Sequence, residues 1–126
     1  MTGEAAPAER ARVWKTPPGV ALCAEADLAD PGSRGFVLKI GEAYFHGFVV
    51  RKDGQVAGYV DRCPHAGFPL AIELDRYLTP DGSLILCGWH GAVFHPLSGA
   101  CVGGPCAGAK LTPWPVTVAD GVVRTA

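Results

Sequence analysis

The stretch Cys63-Pro64-His65-Ala66-Gly67-Phe68-Pro69-Leu70 is answered, after twenty-one residues between His65 and Cys87, by Cys87-Gly88-Trp89-His90-Gly91-Ala92-Val93-Phe94. Each segment sets a thiolate and an imidazole two or three residues apart amid glycine and proline. At that spacing a turning loop can aim both side chains to one side. Two such clips supply two sulfur and two nitrogen donors, a set open to a tetrahedral zinc ion or to a two-iron cluster. Gly67, Gly88 and Gly91 lie beside the donors, where missing side chains let backbone N–H groups approach sulfur. Cys63, His65, Cys87 and His90 are therefore the candidate metal ligands.

Outward from these loops the chain reads as short strands. Residues 36–40, 44–51 and 55–60 are apolar runs divided by Gly41-Glu42 and Asp53-Gly54, the signature of antiparallel strands joined by tight turns. Further strands are expected at 71–74, 84–86, 93–95, 114–118 and 122–123, with Asp81-Gly82 and Asp120-Gly121 as turn signals. Pro96-Leu97-Ser98-Gly99 and Gly103-Gly104-Pro105 break any ladder and are expected to be surface loops. Seventeen glycines, eleven prolines and a single methionine agree with an all-β fold. With 126 residues and 48% hydrophobic content, the chain suits one core. Residues 1–16 show no steady period and are expected to form a flexible tail, leaving 17–126 as a single domain.

Eleven basic and twelve acidic residues leave a net charge of −1, so no global field favours nucleic acid. No stretch approaches the roughly 18 to 20 apolar residues of a membrane span, and residues 1–12 lack the apolar run of a signal peptide. The expectation is a cytoplasmic protein without membrane partners. Five cysteines are an odd number, which in a reducing compartment points to metal binding or burial. Cys101 and Cys106, which flank Val102-Gly103-Gly104-Pro105, are read as small buried apolar residues in preference to a disulfide. Cys23 is read the same way, and His46 and His95 are given structural or solvent-facing roles.

The two clips resemble the signature of the Rieske iron–sulfur proteins, Cys-x-His in one loop and Cys-x-x-His in another. The resemblance continues through Ser98-Gly99, Gly104-Pro105, Pro115-Val116 and Asp120-Gly121-Val122, over roughly the last two-thirds of the chain. It implies an all-β domain with a small cluster-binding subdomain made of the two ligand loops. Within a [2Fe-2S] cluster Cys63 and Cys87 would hold one iron, and His65 and His90 the other. One nitrogen of each imidazole would face solvent, inside an apolar collar of Phe68, Pro69, Trp89 and Pro105.

Departures from the family pattern bear on the subclass. Respiratory members carry an extra cysteine in each ligand loop, joined by a disulfide, where this chain has Phe68 and Trp89. They also place serine and tyrosine hydroxyls on the cluster sulfurs, where this chain has Ala92 and Phe94. Losing those donors is expected to lower the midpoint toward the low end of the Rieske range of about −150 to +300 mV. The segment 73–82 is a few residues longer than in compact members, an extension that a surface loop tolerates.

The expected function is that of a Rieske-type ferredoxin, a one-electron carrier between a flavin-dependent reductase and a terminal oxygenase. By itself it would not be an enzyme, since nothing remains to build the mononuclear iron site of a catalytic subunit. Two alternatives stand beside it: a Rieske-type small subunit of a larger, nitrite-reductase-like enzyme, and a zinc-stabilised binding module.

Overall fold

Alternation along the longest strand organises the fold. In β3, Ala43–Lys52, the side chains of Phe45 and Val49 fall on one face and those of Phe48 and Val50 on the other, and all four are fully buried. A strand apolar on both faces must be covered twice. The computed structural model describes residues 12–62, 70, 75–88, 91–106 and 108–126.

β3 is central in a three-stranded antiparallel sheet between β2, Gly32–Ile40, and β4, Gln55–Val60. The β3–β4 turn sits at Asp53-Gly54, both with positive φ (52° and 78°), the combination a two-residue hairpin of this twist requires. The Asp30 carboxylate receives the Asp53 and Gly54 N–H groups at 3.0 and 2.7 Å. Asp120-Gly121 repeats the same geometry (54° and 74°) between β8, Val116–Ala119, and β9, Val122–Thr125.

One face of β3 joins Leu28, Val60, Trp114 and Val123 in a core shared with the sheet of β1 (Ala21–Ala24), β9 and β8. Gly47 makes room there: a Cβ at this position would come within 2.5 Å of the Phe45 ring and 2.7 Å of the Trp114 ring. The opposite face packs Phe48 and Val50 with Tyr59, Leu70, Tyr77, Ile85, Cys87, Ala92, Phe94, Cys106 and Leu111. That second core belongs to a small sheet of β5 (Ile85–Leu86), β6 (Val93–Phe94) and β7 (Cys101–Gly103).

The fold is all-β, as expected. Among the described residues the only helical element is the 3-10 turn Glu25–Asp27, and no helix is long and apolar enough to cross a membrane. Several boundaries differ from the sequence-based ones. β1 was not anticipated, and β2 begins at Gly32 instead of residue 36. Gly103, assigned to a breaker loop, ends β7; only Gly104, at φ +82°, turns the chain away. The strand expected at 114–118 begins at Val116, because the Trp114 N–H donates to Gly58 and the ring fills the core between Pro113 and Pro115. The strand expected at 71–74 lies outside the described residues. Ordered contacts start inside the segment 1–16 assigned to the tail: Val13 N–H donates to Tyr44, and the Trp114 indole N–H donates to Thr16 at 2.9 Å.

Candidate metal centre

Of the four candidate ligands the described residues include Cys87; Cys63, His65 and His90 lie outside them. Cys87 follows β5 directly and is fully buried, with its thiol free of any disulfide. Its N–H donates to the Ala92 carbonyl at 2.8 Å, and its own carbonyl receives the Gly91 N–H at 3.0 Å. The loop 87–92 is thus pinched shut at its base. Gly91 turns the chain at φ +75°, and a Cβ there would meet nothing within 4 Å, so the backbone conformation and not space calls for glycine.

The first loop is closed from below in the same manner. Asp61 precedes Cys63 by two residues, and its Oδ1 accepts the Leu70 N–H at 2.8 Å, spanning the whole motif from entrance to exit. Leu70, fully buried, accepts the Gly88 N–H at 2.8 Å. That bond joins the end of the first motif to the residue after Cys87. The two clips recognised in the sequence are therefore neighbours in space at their bases.

This arrangement fits a soft metal group. A buried free thiol packed with Leu70, Ile85 and Ala92 and followed by glycine is a soft sulfur donor, the kind of group such a metal takes. Ala92 and Phe94 are both fully buried and neither carries a hydroxyl. Among the described residues, which include only Cys87 of the four candidates, no three His, Cys, Asp or Glu side chains form a group that could hold a metal ion.

The remaining cysteines and histidines divide as follows. Cys101 and Cys106 form a disulfide with Cα atoms 5.8 Å apart, which corrects the expectation of two unlinked buried cysteines. Gly104 reverses the chain between them and brings the pair within bridging distance. The same turn lies directly on the second ligand loop: a Cβ at Gly104 would stand 2.8 Å from the Gly91 carbonyl oxygen and from the Ala92 Cα. Cys23 is partly buried against the other core, where burial pushes its thiol pKa up. His95 is exposed, and its Nδ1 accepts the Leu97 N–H at 3.1 Å, a structural role as expected. His46 is half-buried, and burial, then the Arg12 cation, holds it below the usual imidazole range against the opposing pull of Asp61. Of the expected collar, Pro105 is exposed and Phe68, Pro69 and Trp89 lie outside the described residues.

Two features beside the centre were not foreseen. Tyr77 donates its hydroxyl proton to Asp61 Oδ2 at 2.9 Å, a link invisible in sequence because neither residue belongs to a motif. Arg12 and Arg62 both set their guanidinium groups over the ring of Trp14, at 4.7 and 5.4 Å, and Trp14 is 45% exposed. Arg62 adjoins Cys63, so this basic and aromatic platform borders the first ligand loop.

Residues 19–119 match the Rieske [2Fe-2S] domain family, and the chain belongs to that family. No curated protein sequence matches it. Among solved structures it is similar to a chain from the complex of reduced oxygenase and oxidized ferredoxin in carbazole 1,9a-dioxygenase. There the identity is 27% and the TM-score 0.67, over 85% of this chain and 100% of that one. It is also similar to the Sphingomonas yanoikuyae B1 ferredoxin, with 27% identity and a TM-score of 0.63 over 85% of this chain and 96% of that one. The ferredoxin of carbazole 1,9a-dioxygenase from Nocardioides aromaticivorans IC177, at 20% identity and a TM-score of 0.65 over 88% and 98%, shares the fold.

Proposed function

We propose that this chain is a cytoplasmic Rieske-type ferredoxin of low potential, a one-electron carrier that passes electrons from a flavin-dependent reductase to a terminal oxygenase. Its [2Fe-2S] cluster is assigned to Cys63 and Cys87 on one iron and His65 and His90 on the other. The hydrogen bond from Gly88 to Leu70, which draws the two clips together around the buried free thiol of Cys87, carries this reading. The similarity over almost the whole length of two ferredoxin-system chains at 27% identity supports the carrier role.

When bound, the cluster supplies one reversible electron. The chain does the rest: Cys87, buried with Leu70, Ile85 and Ala92, would hold the cluster from the core side, and neither Ala92 nor Phe94 offers a hydroxyl that would favour the reduced charge. The absence of the respiratory-type disulfide between the loops follows from Phe68 and Trp89, and the Cys101–Cys106 bridge lies in a different loop.

Low-temperature electron paramagnetic resonance of the dithionite-reduced protein, with iron and sulfide analysis, tests the assignment. A signal whose average g-value lies below that of all-cysteine clusters is expected. Stoichiometric zinc without inorganic sulfide would instead make the chain a zinc-stabilised module.

A further inference from the structure

Tyr77 lies ten residues before Cys87 and belongs to neither ligand motif, yet it bonds to residues that lead into both. Its carbonyl accepts the Leu86 N–H at 2.9 Å, immediately before Cys87. Its hydroxyl donates to Asp61 Oδ2, two residues before Cys63. Asp61 Oδ1 holds Leu70, and Leu70 holds Gly88. These four bonds close a ring from Asp61 through Leu70, Gly88, Cys87, Leu86 and Tyr77 back to Asp61, so the backbone of Cys87 is part of it.

The ring is anchored to the central sheet. Ser33 Oγ, on β2, donates to the Asp75 carbonyl at 2.7 Å and accepts the Tyr77 N–H at 3.2 Å. The Gly35 N–H donates to Asp75 Oδ1 at 2.8 Å. The Tyr77 ring is stacked on Phe48 of β3, with centroids 4.1 Å apart and planes 6° from parallel. Its hydroxyl lies over Gly35, where an added Cβ would stand 2.7 Å from it. Burial, with the adjacent Asp61 carboxylate, drives the phenol pKa well above its ordinary value, so the proton stays in the Tyr77–Asp61 bond at any physiological pH.

We propose that Asp61 and Tyr77 are positioning residues for the metal centre: together they fix the distance between the two ligand loops and thereby set how long the cluster is retained and at what potential it works. This inference rests on the ligand assignment made above. Asp61 acts twice, as the geometric tie between loop entrance and exit, and as a fixed negative charge beside the first clip that disfavours reduction. Tyr77 acts only through geometry.

The test compares wild type with Tyr77→Phe, Gly35→Ala, Asp61→Ala and Asp61→Asn as cluster-loaded proteins. Loss of visible absorbance in excess iron chelator gives the release rate, an anaerobic titration gives the midpoint, and thermal unfolding checks the fold. Tyr77→Phe keeps the ring stack and removes only the hydroxyl, so release should quicken by about 10-fold. Gly35→Ala, outside both loops, pushes its methyl directly against that hydroxyl and should reproduce the effect. Asp61→Ala should be the fastest. Asp61→Asn keeps an oxygen to accept the Leu70 N–H and presents an amide N–H that the Tyr77 hydroxyl, turned round, can accept, so it should release more slowly than Asp61→Ala while its midpoint moves upward. Equal release from Tyr77→Phe and wild type, or release from Asp61→Asn as fast as from Asp61→Ala, overturns the proposal. A wild-type protein found to hold zinc would overturn the carrier reading alone, since the same comparison of release rates then runs on zinc.

Discussion

Cys101 and Cys106 are joined by a disulfide across the turn at Gly104, and that turn rests against the backbone of Gly91 and Ala92 in the second ligand loop. The bridge closes the turn that packs on the backbone of that loop, although neither cysteine is a candidate ligand. Replacing both with serine should cost on the order of 2 kcal/mol by loop-closure entropy. The sign to look for is a lower denaturant midpoint together with faster cluster loss. An unchanged release rate in the double variant would mean that the turn is held without the bridge.

Ala92→Ser places a hydroxyl at a fully buried position whose backbone closes the Cys87 loop. A donor aimed at cluster sulfur favours the reduced state, and each kcal/mol of that preference raises a one-electron midpoint by on the order of 40 mV. A redox titration of the serine variant that returned the wild-type midpoint would refute the explanation offered for the low potential.

Acid should destabilise the protein through His46. Burial and the Arg12 cation keep its folded pKa below the ordinary 6.5, while Asp61 only partly offsets them. The unfolded chain therefore takes up the proton first as pH falls. Stability is fully present above 6.5 and is lost on acidification through the folded value. His46→Gln should flatten this limb, which urea melts at about pH 7.5 and about pH 5 would compare.

Gly47→Ala probes the core remote from the ligands. The added methyl collides with the Phe45 and Trp114 rings, and overpacking of this kind costs about 1 to 3 kcal/mol. The melting temperature should drop while the midpoint potential stays put, because Cys87 belongs to the core on the other face of β3.

How much of this was legible in the sequence depended on how local each cause is. The Asp53-Gly54 and Asp120-Gly121 turns were readable because two residues determine them, and the all-β class followed from many such signals. That the two clips lie side by side at their bases was readable from donor type and spacing. β1 was not, because the four residues Ala21–Ala24 carry no alternation and become a strand only by pairing with β9 at the other end of the chain. The disulfide was missed because it depends on the φ of Gly104, and the compartment argument pointed the other way. Tyr77 was missed because its meaning lies in Asp61, Leu86 and Phe48, three partners that no linear pattern connects.

β3 buries both of its faces, so the lower core and the metal-bearing cap share one strand with no hinge between them. A carrier gains and loses a single charge many times, and each exchange is slowed by whatever the surrounding atoms must do to accommodate it. Dipoles already set in place by a common backbone have little left to rearrange when the electron arrives, so the double burial of β3 favours rapid exchange.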